Sequence, residues 1–204
     1  REIDSGFDVV IGNPPYVRPH KLSSEYKERL WRHYHVFEKK ADLYTCFIER
    51  GVRLLRMRGC LTYIVSDGFL RLDSFERLRR FLLEFTSVDQ IIDFREDVFR
   101  SAAVKTCLLL VSRGPAATGL ARVAEVDSAG CLAHPHLKPV QHSLFASKYK
   151  AIFDLSSDEK VDAVKRLVDL GSVRLGDLLA IQFGLKTGDD EKYISPTQAT
   201  SDHK

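Results

Sequence analysis

Asn13-Pro14-Pro15-Tyr16 is the stretch of this chain whose residue types and order could do chemistry. Two consecutive prolines fix φ at two positions and supply no N–H, so the turn is stiff and the Pro14 carbonyl has a defined direction. Asn13 sets a side-chain carbonyl acceptor beside it, and Tyr16 adds a flat π-face. Two acceptors and a stacking surface suit an exocyclic amino group on a planar base. The Asn13 oxygen and the Pro14 carbonyl would each accept one amino hydrogen, which drives the nitrogen toward tetrahedral geometry and localises its lone pair. Such a nitrogen can attack an electrophilic methyl, so the chemistry implied is amino-group methylation. Taken bare, the tetrapeptide also reads as a Pro-rich turn with Tyr16 packed for stability, and what precedes it decides between the two.

What precedes it is Phe7-Asp8-Val9-Val10-Ile11-Gly12, a short β-branched run ending at Gly that reads as a buried strand. The turn therefore falls at a strand's carboxyl end, where open α/β sheets place their ligands. Over residues 42–57 two adjacent stripes are apolar, Leu43, Phe47, Gly51 and Leu54 on one and Tyr44, Ile48, Val52 and Leu55 on the other. A helix with so broad an apolar face must be largely buried. Gly59 ends it, and residues 60–65 read as a second strand. Asp73-Ser74-Phe75-Glu76 has the spacing of a capping box, followed at helical intervals by Phe75, Leu78, Phe81, Leu82 and Phe85. Residues 88–94, 105–111 and 120–126 read as further strands. This alternation predicts an α/β fold with a mostly parallel sheet.

Composition changes after the loop at 113–119. Residues 134–141, with two prolines, read as irregular, and a capped helix is expected from Ser156 to a stop at Gly171. No internal repeat is visible. The division expected is residues 1–114 as one unit, 115–172 as a connecting region, and 173–204 as the start of another.

At 204 residues the chain can bury a full core, and 44% hydrophobic with 29% charged residues is ordinary for a globular protein. The longest apolar runs, such as Leu108-Leu109-Leu110-Val111, are too short to span a bilayer, and no charged-then-apolar leader opens the chain, so a cytoplasmic location with no membrane partner is expected. Cys46, Cys60, Cys107 and Cys131 are scattered, which favours free thiols over disulfides. His33-x-His35 and His134-x-His136 lack cysteine or carboxylate companions, and no metal is expected. The net charge of +3 argues for no partner by itself. Between residues 18 and 40, however, Arg18, Lys21, Lys27, Arg29, Arg32, Lys39 and Lys40 face only Glu25, Glu28 and Glu38, with Tyr26, Trp31, Tyr34 and Phe37 interleaved. Two readings stand: a surface that tracks phosphates and packs on sugar or base, or an amphipathic helix from Ser23 with Tyr26, Leu30 and Tyr34 inward.

From Phe7 to Arg113 the succession of segments resembles the gamma-class DNA adenine-N6 methyltransferases of the TaqI kind, including the fused, type IIG-like restriction-modification enzymes. Asn13-Pro14-Pro15-Tyr16 matches their motif IV, and residues 40–49 are similar to motif V, whose Leu and Phe positions fall on Leu43 and Phe47. Residues 59–70 resemble motif VI, although Ser66-Asp67 stands where Pro is common. Residues 91–94 and 98–110 resemble motifs VII and VIII, with Phe99 at the aromatic that packs on a flipped base. Residues 175–188 resemble the opening of a target-recognition domain.

The resemblance implies the second half of a Rossmann-like sheet that uses S-adenosyl-L-methionine. Asn13, Pro14, Pro15 and Tyr16 would be catalytic, Tyr16 and Phe99 would contact the target base, and Pro14, Leu43 and Phe47 would border the cofactor. Double-stranded DNA is the partner implied. The Gly-rich motif I has no counterpart before Phe7, so an interior fragment with an incomplete cofactor site is expected, inactive in isolation. The strand at residues 7–11 would then be an apolar edge suited to self-association. Protein-glutamine and rRNA amino-methyltransferases carry a similar tetrapeptide and stand as alternatives, as does a non-catalytic DNA-binding fragment.

Overall fold

The computed structural model describes residues 5–38, 40–95, 104–116, 119–127, 135–147 and 149–155. Among the described residues six strands make one sheet: β1 (Phe7–Gly12), β2 (Leu55–Ser66), β3 (Thr86–Phe94), β4 (Thr106–Arg113), β5 (Leu120–Val126) and β6 (Lys138–Gln141), in the order β1-β2-β4-β3-β5-β6. Only β1 with β2 and β3 with β5 are parallel; the other three pairings are antiparallel. The sheet is thus mixed rather than mostly parallel, because β4 enters between β2 and β3 and runs against both. Periodicity finds a strand but not its direction.

Helices α2 (Tyr44–Leu54) and α4 (Glu76–Phe85), with the short α3 (Gly68–Arg71), supply the apolar side chains facing one side of the sheet. Tyr44, Ile48 and Val52 of α2 and Leu78, Phe81 and Leu82 of α4 meet Leu61, Tyr63 and Val65 of β2 and Leu109 and Val111 of β4 in one core. Alternate residues of β2 face that core, as a period of two requires. A smaller cluster of Ile92, Phe94, Ala124 and Val126 lies on β3 and β5.

Two departures from the sequence reading have local causes. Helix α2 stops at Leu54, earlier than expected, and β2 begins at once with Leu55. Phe7 pairs with Leu55 but Val9 with Cys60, so β2 carries extra residues across this step. Arg58 there has φ of 64°, and a Cβ on Gly59 would lie 2.6 Å from the Phe7 carbonyl oxygen. Gly59 therefore marks a close backbone approach within a bulged strand rather than a helix stop. Second, residues 138–141, read as irregular, form β6 against β5, with Pro139 on the edge strand, the position in a sheet where proline is tolerated. A short α5 (His142–Ser147) follows, and Phe145, Phe153 and Leu155 pack into the same core as β2 and β4. The sheet and its core thus run on past the composition change at residue 113.

Helix α1 (Ser24–His33) starts as expected, its Ser23 hydroxyl accepting from the Tyr26 N–H at 3.2 Å. Leu30 is buried and Tyr34 half-buried, but Tyr26 faces solvent. Trp31 is held at the body by Phe37, edge-on at 6.3 Å, and by the Arg77 guanidinium 5.5 Å above its ring.

Among the described residues no helix is long and apolar enough to cross a membrane, and no group of three or more His, Cys, Asp or Glu side chains is arranged to hold a metal. The expected helix at 156–171 and the segment at 175–188 lie outside the described residues, as do Phe99 and Cys131.

Candidate active site

Strand β1 ends at Gly12, paired with Tyr63, and the turn Asn13–Tyr16 projects from that end. Because β1, β2 and β3 run the same way, Ser66 and Phe94 close their strands at this end too. Within the turn burial alternates: Pro14 is buried, Asn13 and Pro15 are exposed, and Tyr16 is half-buried. Pro14 is seated in the protein, Tyr16 is partly seated, and the Asn13 side chain is open to solvent. No proline here is cis.

Three contacts hold the turn. The Tyr16 hydroxyl lies 3.0 Å from the Ile64 carbonyl oxygen of β2 and 3.1 Å from Asn13 Oδ1. The Tyr16 ring meets Tyr44 edge-on, with centroids 6.1 Å apart, and Tyr44 in turn stacks on Phe75. The Leu43 N–H donates to the Val17 carbonyl at 2.9 Å, which ties the residue after the turn to the start of α2. Burial, with a smaller contribution from nearby Cys107, pushes the Tyr16 phenol up to about 12. It stays neutral and able to donate across the physiological range.

Leu43 is buried with Leu30, Phe37 and Cys46, whereas Phe47, one helical turn on, leaves 42% of its surface in solvent. Phe47 is thus an exposed apolar side chain one helical turn from Leu43, whose N–H anchors the motif loop that holds Pro14. The structure therefore brings Asn13, Pro14, Pro15, Tyr16 and Leu43 together, with Phe47 on the adjoining turn of helix.

Sequence reasoning missed three features, two of them at this end of the sheet. Tyr44 was visible only as part of an apolar stripe; the signal was its hydroxyl, which a buried Tyr must place, and it points to the Ser66 carbonyl at 3.4 Å. Arg71 bridges Asp93 at 3.0 Å and Asp67 at 3.4 Å. Burial raises both carboxyl groups above their ordinary range, with Arg71 opposing. Buried Glu49 accepts from the Val36 N–H at 3.0 Å and pairs with Arg53, pinning the segment that follows α1. No spacing rule pairs these distant positions.

A cleft of about 750 Å³ lies at the other end of the sheet, lined by Val52, Met57, Phe81, Phe85 and several arginines. Its Arg53, Arg77 and Arg80 are paired with Glu49, Glu38 and Glu76, so it carries little uncompensated charge.

Residues 2–99 match the Eco57I restriction-modification methylase family. The chain is 34% identical over 111 residues to the type II restriction enzyme and methyltransferase RM.Eco57I of Escherichia coli, covering 52% of this chain and 11% of that protein. It is 28% identical over 213 residues to the type II methyltransferase M.PaeR7I of Pseudomonas aeruginosa, covering 94% of this chain and 36% of that one. The type IIG restriction endonuclease BpuSI shares the fold, with a TM-score of 0.59 at 14% identity over 79% of this chain and 22% of its own. The chain thus spans about a tenth to about a third of the length of these curated relatives. It is similar in sequence to these type II restriction-modification methyltransferases and shares its fold with the type IIG endonuclease BpuSI.

Proposed function

We propose that this chain is the catalytic segment of a site-specific DNA methyltransferase in a restriction-modification system, moving a methyl group from S-adenosyl-L-methionine to the N6 amino group of a flipped adenine. The observation that carries the reading is the turn itself. Pro14 is seated in the protein, Asn13 is open to solvent, and Tyr16 is tied to the neighbouring strand at the carboxyl end of β1. Attack on a base edge at close range requires the nucleotide to leave the duplex, at a cost of about a few kcal/mol that pocket contacts recover. Tyr16 stacks on the extruded base, and Phe99 contacts it from another side. Asn13 and Pro14 accept the two amino hydrogens, and Pro15 keeps the loop rigid.

The cofactor supplies the electrophilic methyl; this chain's part is to border it with Pro14, Leu43 and Phe47 and to align the nitrogen. Transfer is a direct displacement with no covalent enzyme intermediate, so alignment contributes most to the rate. Among the described residues the edge of β1, with Phe7, Val9 and Ile11 60%, 52% and 76% exposed, is apolar and unpaired on one side. We place a further strand there, supplied by the rest of a longer polypeptide or by a second copy, which completes the cofactor site.

The test is methyl-label transfer by the full-length protein to DNA, tRNA, rRNA and protein in parallel. Label in DNA alone is expected. Label in rRNA, or on a protein glutamine, would replace the DNA reading with one of those acceptors.

A further inference from the structure

The Tyr16 hydroxyl stands between two oxygens, Asn13 Oδ1 at 3.1 Å and the Ile64 carbonyl at 3.0 Å. A phenol carries one proton, so it donates to one of them and faces the other lone pair to lone pair. The Ile64 carbonyl cannot exchange its oxygen for a donor. It lies one residue beyond Tyr63, the last β2 partner of β1, and leaving it without a donor would cost the fold. Asn13 can make the exchange: half a turn about its soft terminal torsion brings Nδ2 to the place of Oδ1. Each group then has a partner in order. Asn13 Nδ2–H donates to the Tyr16 oxygen, and Tyr16 O–H donates to Ile64.

We propose that Tyr16 is a positioning residue as well as a stacking surface, its hydroxyl holding the Asn13 amide with N–H inward and the oxygen turned outward to the amino group that is methylated. This rests on the amino-methyltransfer reading above and adds to it what orients the acceptor. Asn13 is exposed, and no other side-chain contact holds its amide among the described residues. Two prolines separate it from Tyr16, so the span from hydroxyl to amide is set by a stiff backbone. The Tyr16 ring is braced by Tyr44, and its raised pKa keeps the donor proton in place.

The experiment compares wild type, Tyr16→Phe and a ring-fluorinated tyrosine at position 16 in the full-length protein under single-turnover conditions. The Phe variant should lose about tenfold to a hundredfold in methyl-transfer rate, the scale of a slightly misplaced reacting group. Its affinity for DNA bearing a fluorescent adenine analogue at the target should stay within about twofold, since the π-face remains. The fluorinated residue, which keeps the hydroxyl, should restore the rate. With selective asparagine labelling, the two Asn13 amide protons should exchange with water faster in Tyr16→Phe than in wild type. Wild-type transfer by Tyr16→Phe, or unchanged exchange at Asn13, overturns the orienting role and leaves amino methylation standing. A wild-type protein that methylates no amino group ends both.

Discussion

Strands β1 and β4 belong to one sheet and are built from similar apolar residues, yet they meet solvent in opposite ways. Cys107, Leu109 and Val111 of β4 are fully buried between two neighbouring strands and under α2 and α4, whereas alternate residues of β1 are more than half exposed. A strand's composition states how much it can bury; its place in the strand order decides how much it does. Besides its ladder with β2, strand β1 is held by the turn after it, through buried Pro14, the Tyr16–Ile64 contact and the Leu43–Val17 bond. The residues assigned to chemistry therefore also anchor the strand that carries them.

The comparison can be broken most sharply at the exposed end. Asn13→Ala in the full-length protein should reduce methyl transfer by about a hundredfold or more, the scale of losing one preorganised partner of the reacting group. Its thermal midpoint should not move, because Asn13 supports no core contact. A parallel fall in activity and melting temperature would recast Asn13 as structural.

In the sheet, Leu109→Ala should cost about 2–5 kcal/mol in urea unfolding, as expected for a large buried residue, whereas Val9→Ala in the 204-residue chain should cost about 0.5 kcal/mol or less. Equal costs would mean that β1 is covered in solution and would favour self-association through its edge. Ultracentrifugation of the same samples then shows whether a second copy does the covering.

Gly59→Ala tests the step at which β1 and β2 meet. The new methyl would fall 2.6 Å from the Phe7 carbonyl oxygen and 3.1 Å from that of Asp8. Destabilisation of about 1–3 kcal/mol is expected, with faster hydrogen exchange in β1 and unchanged exchange in β4. A neutral substitution would show that this approach is loose.

The smallest effect concerns pH. Burial raises the Asp93 carboxyl above its ordinary 3.8 despite Arg71, so the folded chain holds that proton more tightly than the unfolded one. Stability from this group is present below 3.8 and lost as pH rises through the raised value. Asp93→Asn removes that loss, so its effect on unfolding free energy should become more favourable between about pH 4 and pH 7. A pH-independent difference would mean that Arg71 fully compensates for burial.

Much of this was legible in the chain. The β1 run, the turn after it, the Ser23-capped helix and the broad stripe of α2 are local patterns, each found as the expected element, although β1, read as buried, leaves Phe7, Val9 and Ile11 exposed. What escaped needed distance. The antiparallel entry of β4, the bulge at Arg58 and Gly59, and the pairing of residues 138–141 depend on partners far along the chain. In the site, Asn13, Pro14 and Tyr16 were identifiable by type, but the contact of the Tyr16 hydroxyl with the Ile64 carbonyl joins positions 48 residues apart.

We propose that the turn from Asn13 to Tyr16 holds the amino group of a flipped adenine for methyl transfer. The most direct test is single-turnover methyl transfer by the full-length protein to duplex DNA, with the labelled product digested and its nucleosides identified. All label is expected as N6-methyladenine in wild type, with essentially none from Asn13→Ala. Label on cytosine, or equal yield from Asn13→Ala, would contradict it.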